Sequence, residues 1–190
     1  MKKIAVLFPG IGYTCEKPLL YYSAKLAAEA GFEVVRVPYG NFPPNVKGDA
    51  SKMYRCFLSA REQSEDILRD VNWEQYDDIV FFSKSVGTVV ALSYAAEHGI
   101  GVRQVLYTPL AETFRFPVTS GNADGRTGAI AFHGTADPWA ETEEIIRLCE
   151  ERKIPLHLTK KANHSLECGK AVKDIKTVKK VMKTVEEFLR

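Results

Sequence analysis

Short apolar segments alternate with amphipathic segments along almost the whole sequence, and this alternation restricts the chain to few folds. The apolar segments have the length and the β-branched and aromatic content of buried strands, whereas the segments between them repeat apolar residues at helical spacing. Strands are predicted at 3–8, 32–38, 79–82, 102–108, 129–133 and 154–158, and helices at 17–30, 51–70, 89–96, 139–152 and from 170 onwards. Strands and helices that alternate in this way form an open, mostly parallel sheet with helices on both faces.

Length and composition fit one globular domain. With 190 residues, of which 45% are hydrophobic and 26% are charged, the chain can bury a substantial core and lacks the composition of a disordered protein. We therefore predict a single α/β domain over residues 1–190, a three-layer sandwich with about six strands. The carboxyl ends of parallel strands lie at one edge of the sheet, so the loops that follow the strands meet there.

Charge and cysteine usage favour no macromolecular partner. The formal net charge of +2 gives no electrostatic case for nucleic acid or an anionic membrane, and no segment is long enough to span a bilayer. Pro9 and Gly10 end the first apolar run, which favours a strand over a signal peptide.

The four cysteines lack C-x-x-C spacing, so we expect free thiols and a cytoplasmic location. The choice between monomer and homodimer stays open.

The stretch from Ile79 to Leu92 passes from strand to helix through a group of small residues, Ser-Lys-Ser-Val-Gly at 83–87. So short a turn can hold its middle residue in a strained conformation and direct that side chain outwards at the carboxyl edge of the sheet. The hydroxyl of Ser85 is therefore a candidate nucleophile, and the backbone N–H of Val86 is a candidate oxyanion donor. The alternative is that Ser85 only caps the helix, since serine is a favoured N-cap residue.

Two later loops supply the other groups that serine hydrolysis requires. The segment 133–138 follows the fifth strand and contains Asp137, and the segment 163–165 follows the sixth strand and contains His164. An imidazole takes up and returns the proton of the hydroxyl, and a carboxylate holds that imidazole in the required tautomer. Each residue also has an alternative role, because Asp137 before Pro138 suits a helix N-terminus and a loop histidine commonly has no function.

These segments resemble the functional loops of the α/β-hydrolase superfamily. The segment 83–87 resembles its G-x-S-x-G motif, the nucleophile elbow, with Ser83 in place of the first glycine. The segments H-G-x-x-D-P at 133–138 and N-H-S at 163–165 resemble its acid and base loops. The order serine, aspartate, histidine along the chain is also that of the superfamily. The resemblance implies that Ser85, Asp137 and His164 are nucleophile, acid and base, and that the strand order is 2-1-3-4-5-6.

The turn after the first strand is the expected second part of the oxyanion hole. Its sequence Pro-Gly-Ile-Gly at 9–12 resembles the H-G-type oxyanion turn of the superfamily, with proline where many members have histidine. We predict Ile11 as the donor, with Gly12 as the next candidate and Gly10 in the same substrate-binding turn. Four aromatic residues are possible walls of the site or ordinary core residues: Tyr13, Phe114, Phe116 and Trp139.

The sequence supports a cofactor or metal site less well than it supports a hydrolase site. Gly10 and Gly12 begin a dinucleotide-binding fingerprint, but Cys15 stands where a third glycine or an alanine is needed, and the second strand ends without an acidic residue. The sequence contains no Walker A motif and no metal-ligand spacing of histidine, cysteine and aspartate. We therefore expect neither a cofactor nor a metal.

The resemblance implies a small serine hydrolase without a cap domain, similar to carboxylesterases and dienelactone-hydrolase-like proteins. The segment 110–128, where a lid usually enters, is too short for a helical cap, so we expect an open site for a small ester or thioester. An acyltransferase or thioesterase of the same fold and a non-catalytic binding protein are the alternatives. Lys84, next to the nucleophile, either meets an anionic substrate or lies on the surface or behind the site.

Overall fold

Six parallel strands form the central sheet of the protein. In the computed structural model, which describes residues 1–118 and 128–190, they are β1 (Lys3–Phe8), β2 (Glu33–Arg36), β3 (Asp78–Lys84), β4 (Arg103–Tyr107), β5 (Gly128–Gly134) and β6 (Leu156–Thr159). Their order across the sheet is β2-β1-β3-β4-β5-β6, and each neighbouring pair is parallel. The predicted fold class and strand order are confirmed.

Helices cover both faces of this sheet. The described part of the chain contains α1 (Pro18–Glu29), α2 (Ala50–Leu68), α3 (Val86–Glu97), α4 (Thr142–Glu151) and α5 (Ala171–Leu189). Helices α1 and α5 share one hydrophobic core with the sheet, and α2, α3 and α4 contribute to the cores on the opposite face. None of these helices has the combined length and apolar character that crossing a membrane requires.

Strand β3 shows why the sequence of an inner strand is continuously apolar. Val80 and Phe82 belong to the core beneath α1 and α5, whereas Ile79 and Phe81 belong to the core on the opposite face. A strand that is covered on both faces needs apolar residues at successive positions rather than at every second position. This central strand carries Ser85 directly after its carboxyl end.

Two short 3₁₀ helices, Trp73–Gln75 and Ala111–Arg115, were not expected from the sequence pattern. Each is too short to produce a recognisable periodicity. The second one lies in the segment 110–128, for which we predicted the absence of a helical cap. That prediction falls partly on residues 119–127, which are outside the described residues.

Candidate active site

The elbow between β3 and α3 holds Ser85 in a strained backbone conformation. Its φ of 56° and ψ of −126° lie in a region that residues with a side chain rarely adopt. The residue occupies the N-cap position of α3, yet its side chain makes no capping hydrogen bond. The backbone is held instead by the N–H of Ser85, which donates to the carbonyl of Tyr107 at 3.0 Å, and by the hydroxyl of Thr88, which donates to the carbonyl of Ser85 at 2.6 Å.

Small side chains let other segments approach this elbow. A β-carbon at Gly10 would lie 3.1 Å from the Cβ of Ser85, so the turn after β1 is already close to the nucleophile. Ser83, which replaces the first glycine of the motif, is fully buried, and its hydroxyl donates to the carbonyl of Val105 at 3.3 Å. The elbow therefore accommodates a serine at this position because its hydroxyl has a partner on β4.

The imidazole of His164 bridges Ser85 and Asp137. Its Nε2 lies 2.7 Å from the Oγ of Ser85, and its Nδ1 lies 2.7 Å from the Oδ2 of Asp137. A carboxylate only accepts hydrogen bonds, so Nδ1 carries the proton and Nε2 is left to accept the hydroxyl hydrogen of Ser85. The structure thus brings the three predicted residues together from three separate loops.

Asp137 is fixed on the loop between β5 and α4. Its carboxylate is fully buried, and its Oδ1 accepts the backbone N–H of Trp139 at 2.9 Å. Helix α4 begins only at Thr142, with Glu141 as its N-cap residue. The alternative interpretation of Asp137 as the cap of this helix is therefore wrong, because the carboxylate binds His164 and the loop backbone instead.

Two further residues contact the relay of Ser85, His164 and Asp137: Thr108, which sequence reasoning did not assign to the site, and His133, which it assigned to ordering the loop of Asp137. The hydroxyl of Thr108, directly after β4, donates to the backbone carbonyl of His164 at 3.1 Å. His133 on β5 has its Nδ1 3.8 Å from the Oδ2 of Asp137, and its Nε2 pairs with the hydroxyl of Thr142 at 3.1 Å. His133 is the first residue of the H-G-x-x-D-P segment, whereas the only sequence signal for Thr108 was a polar side chain at the carboxyl end of a buried strand.

Burial and neighbouring charges favour a neutral His164. Burial lowers the pKa of this imidazole below its ordinary value, the hydrogen bond to Asp137 opposes that shift, and the charge of Lys84 and the nearby His133 add to the lowering. Burial acts to raise the pKa of Asp137, but the hydrogen bond and charge of His164 outweigh it and hold that pKa below its ordinary value. A neutral imidazole beside a carboxylate is the state that can accept a proton.

The turn after β1 approaches Ser85 at Gly10 and is closed by two backbone hydrogen bonds. The N–H of Gly10 donates to the carbonyl of Tyr13 at 3.0 Å, and the N–H of Tyr13 donates back to the carbonyl of Gly10 at 3.3 Å. Because these two amides close the turn, the remaining candidate donors in it are Ile11 and Gly12. Val86 begins α3, where a backbone N–H has no partner within its own helix.

The aromatic residues near the site divide into core residues and one rim residue. Tyr13 is 8% exposed and Phe114 is 3% exposed, so both belong to the core and contribute little to a substrate wall. The hydroxyl of Tyr13 accepts the N–H of Leu19 at 3.1 Å, which accounts for its burial. Phe116 packs, partly buried, on the core beneath α4. Trp139 is 37% exposed, and its ring centroid lies 5.7 Å from that of His164, so it borders the relay.

Potential metal-ligating side chains are not clustered in the described part of the chain. No group of three or more histidine, cysteine, aspartate or glutamate side chains within residues 1–118 and 128–190 is arranged to hold one. The four cysteines are free thiols. Burial raises the pKa of Cys15 to about 11 and that of Cys149 to about 12, so neither is a ready nucleophile at neutral pH.

Known structures share this fold, although no protein-family model and no curated protein sequence matches the chain. An α/β serine hydrolase homologue from Coxiella burnetii is 15% identical, with a TM-score of 0.69 over 100% of this chain and 85% of that chain. A serine hydrolase without a lid from Xanthomonas campestris is 14% identical, with a TM-score of 0.61 over 99% and 81%. Est1E from Butyrivibrio proteoclasticus is 14% identical, with a TM-score of 0.65 over 99% and 87%. The protein has the α/β-hydrolase fold.

Proposed function

We propose that the protein is a serine hydrolase that cleaves an ester or thioester bond of a small-molecule substrate through an acyl-enzyme on Ser85. The observation that carries this proposal is the position of His164. Its Nε2 lies 2.7 Å from the Oγ of Ser85, and its Nδ1 lies 2.7 Å from the Oδ2 of Asp137. A histidine that only packs in a loop does not require both nitrogens to be paired in this order beside a strained serine. The shared fold of the similar structures supports the same class of activity.

Acylation of Ser85 begins with proton transfer to His164. As the Oγ of Ser85 attacks the carbonyl carbon of the substrate, Nε2 of His164 takes up the hydroxyl proton. The imidazolium that forms is stabilised by the carboxylate of Asp137. The same proton then passes to the leaving alcohol or thiol as the tetrahedral intermediate collapses, which leaves the acyl group bound to Ser85.

Backbone amides stabilise the negative charge that develops on the substrate oxygen. We assign the N–H of Val86 as one donor and the N–H of Ile11 as the other, with Gly12 as the alternative. Fixed donors of this kind act without reorganisation during the reaction, and removal of one donor typically costs about 10²-fold to 10³-fold in kcat. In deacylation, a water molecule gives a proton to Nε2 of His164 and attacks the acyl carbon. The bond between that carbon and the Oγ of Ser85 then breaks, and His164 returns the proton to Oγ, which releases the acid and restores the hydroxyl of Ser85.

The substrate is proposed to be small because the rim of the site is open. Gly12 is exposed, and Trp139 keeps 37% of its surface accessible. A panel of 4-nitrophenyl esters with acyl chains of two to twelve carbons tests this point. Higher kcat/KM for the short chains is expected, and a preference for the long chains contradicts an open site.

A fluorophosphonate probe with mass mapping of the modified peptide tests the nucleophile. The wild-type protein is expected to be labelled at Ser85, and the label should be lost in Ser85→Ala and in His164→Ala. Ser83→Ala is the matched control, because Ser83 is a serine two residues away that is fully buried and hydrogen-bonded to β4. Folded wild-type protein that takes up no label, or takes it up at another residue, rejects the assignment and leaves a non-catalytic binding protein.

The fate of the acyl group separates hydrolysis from acyl transfer. Both reactions use the same acyl-enzyme, so the labelling experiment does not distinguish them. Products of 4-nitrophenyl acetate cleavage should be quantified in the presence of an added alcohol or amine. Release of acetate alone supports a hydrolase, whereas formation of the new ester or amide supports an acyltransferase.

A further inference from the structure

The carbonyl group of Ser85 ends a chain of hydrogen bonds that begins in the segment after β4. This carbonyl accepts the backbone N–H of Thr88 at 2.8 Å and the hydroxyl of Thr88 at 2.6 Å. The hydroxyl of Thr88 lies 2.6 Å from the hydroxyl of Thr113, which belongs to the 3₁₀ helix Ala111–Arg115. The Oγ1 of Thr113 also accepts the backbone N–H of Leu110 at 3.1 Å. Both threonines are fully buried.

The two ends of this chain fix the direction of every hydrogen bond in it. The N–H of Leu110 can only donate, and the carbonyl of Ser85 can only accept. The single hydroxyl hydrogen of Thr88 therefore points to Ser85, and the hydroxyl hydrogen of Thr113 points to the Oγ1 of Thr88. Hydrogen bonds that follow one another in this way polarise one another, so each strengthens the next.

The carbonyl of Ser85 and the N–H of Val86 belong to one peptide group. A trans peptide group is planar, so its carbonyl and its N–H point in opposite directions and can only turn together. Ser85 has a strained backbone, with φ of 56° and ψ of −126°, and such a conformation persists only where its surroundings hold it. Hydrogen bonds to the carbonyl of Ser85 therefore also fix the direction of the N–H of Val86.

We propose that Thr88 and Thr113 are positioning residues of the oxyanion hole: their hydrogen-bond chain holds the carbonyl of Ser85 and thereby directs the N–H of Val86 at the substrate oxygen. This inference rests on the proposed hydrolase activity, in which Val86 is an oxyanion donor. Both threonines act through the peptide group between residues 85 and 86. Hydrogen bonds to its oxygen also polarise this peptide group, which makes the N–H of Val86 a stronger donor.

Thr88→Val tests the inference because valine keeps the shape of the side chain and removes only the hydroxyl. The backbone N–H of residue 88 can still bond to the carbonyl of Ser85, so the donor of Val86 is misdirected and not lost. We expect kcat for 4-nitrophenyl acetate to fall by about tenfold, less than the loss that follows complete removal of an oxyanion donor. KM should change by less than about twofold, because the oxyanion forms only in the transition states of acylation and deacylation.

The ¹⁵N chemical shift of the Val86 amide is a second readout, and it does not require catalysis. This shift responds to hydrogen bonding at the carbonyl of the preceding residue, because carbonyl and nitrogen share one delocalised peptide group. It should move upfield in Thr88→Val. In Thr113→Val, where Thr88 keeps its hydroxyl but loses the donor behind it, both the chemical shift and kcat should lie between those of Thr88→Val and the wild type. The second variant tests the chain also if Thr88→Val does not fold.

Two control variants separate this role from a merely structural one. Thr88→Ser retains the hydroxyl and should keep kcat within about twofold of the wild-type value. Ser93→Ala removes another fully buried hydroxyl of α3, which donates to the carbonyl of Val90 at 2.9 Å, about two turns beyond the elbow. Its loss should lower the urea midpoint of unfolding but leave kcat and the chemical shift of Val86 unchanged.

Wild-type kcat in Thr88→Val overturns the inference, as does an unchanged Val86 chemical shift in both valine variants. An equal loss of kcat in Ser93→Ala or in Thr88→Ser also overturns it, because the effect would then belong to general destabilisation or to the altered side-chain volume. Failure of the proposed hydrolase activity is recognised separately. It appears as the absence of fluorophosphonate labelling in the wild-type protein, and the chemical shift of Val86 does not depend on it.

Discussion

Gly87 lies directly against the carbonyl oxygen of Phe8, and a β-carbon at position 87 would lie 2.3 Å from that oxygen. Phe8 ends β1, just before the turn that carries Ile11 and Gly12, and Gly87 belongs to the first turn of α3. The contact therefore fixes the distance between the two halves of the proposed oxyanion hole. A backbone carbonyl cannot rotate away as a side chain can, so any larger residue must displace β1 or α3.

Gly87→Ala is expected to lower the free energy of unfolding by about 3 kcal/mol or to prevent folding, since an overpacked site with no flexible neighbour relaxes poorly. Urea unfolding followed by circular dichroism measures the change. Gly40→Ala is the matched control, because its β-carbon would meet no atom within 4 Å, and we expect it to change the stability by less than about 1 kcal/mol. Wild-type stability of Gly87→Ala would contradict the observed packing of the elbow.

Asp137→Asn should lower kcat by about 10³-fold to 10⁴-fold while the protein stays folded. Asparagine has nearly the same volume, but its amide no longer holds the Nδ1 proton of His164 or stabilises the imidazolium. Hydrolysis of 4-nitrophenyl acetate at pH 8 is the measurement. Glu144→Gln, the same chemical change at an exposed position of α4, should retain wild-type kcat. A loss of less than tenfold in Asp137→Asn would be incompatible with the proposed role of the carboxylate.

The pH profile of kcat/KM should rise through an apparent pKa below 6.5 and then level off. Burial, reinforced by Lys84 and His133, lowers the pKa of His164, and only the neutral imidazole acts as a base. The same shift contributes to stability, because the folded state favours the neutral form. That contribution is present above the ordinary histidine pKa of about 6.5 and is lost as the pH falls below it. An acid limb with a pKa clearly above 6.5 would disagree with the buried position of the imidazole.

The sequence predicts the fold well because the four inner strands, β1, β3, β4 and β5, are buried on both faces. Segments such as 79–82 are continuously apolar, and no other element of a soluble protein explains so many of them at regular intervals. The relay was also predictable, since Ser85, Asp137 and His164 each follow a predicted strand directly. Parallel strands bring such residues to one edge whatever lies between them in the chain. The order of the strands came from the resemblance and not from the pattern.

Side-chain direction at the ends of the strands could not be predicted. Lys84 is a charged residue at the tip of a strand, where solvent exposure is the ordinary expectation, yet its side chain enters the core beside Tyr13. Tyr13, for which the sequence left open a place at the wall of the site or in the core, is buried for the same reason: the turn after β1 folds inwards against the elbow. Such placements depend on contacts between loops that are distant in sequence, and no local pattern encodes them.

Thr108 holds the loop of His164 through the hydrogen bond of its side-chain hydroxyl. It has a φ of 43°, a conformation that is unfavourable for a β-branched residue. Its backbone N–H donates to the carbonyl of Phe132 at 2.7 Å, and its hydroxyl donates to the carbonyl of His164 at 3.1 Å. These bonds stabilise the strained residue and tie the base loop to β4 and β5.

Thr108→Val keeps the shape of the side chain and removes the hydroxyl. The carbonyl of His164 then loses its donor, so we expect a loss of about 1 kcal/mol in stability. The less firmly held imidazole should lower kcat by about fivefold to tenfold, with KM changed less than about twofold, because an interaction that orients the base matters mainly in the transition state. Thr108→Ser retains the donor and should remain within about twofold of the wild-type kcat. Equal activities of the valine and serine variants would mean that the hydroxyl does not position His164, and that the backbone bond to Phe132 holds the loop by itself.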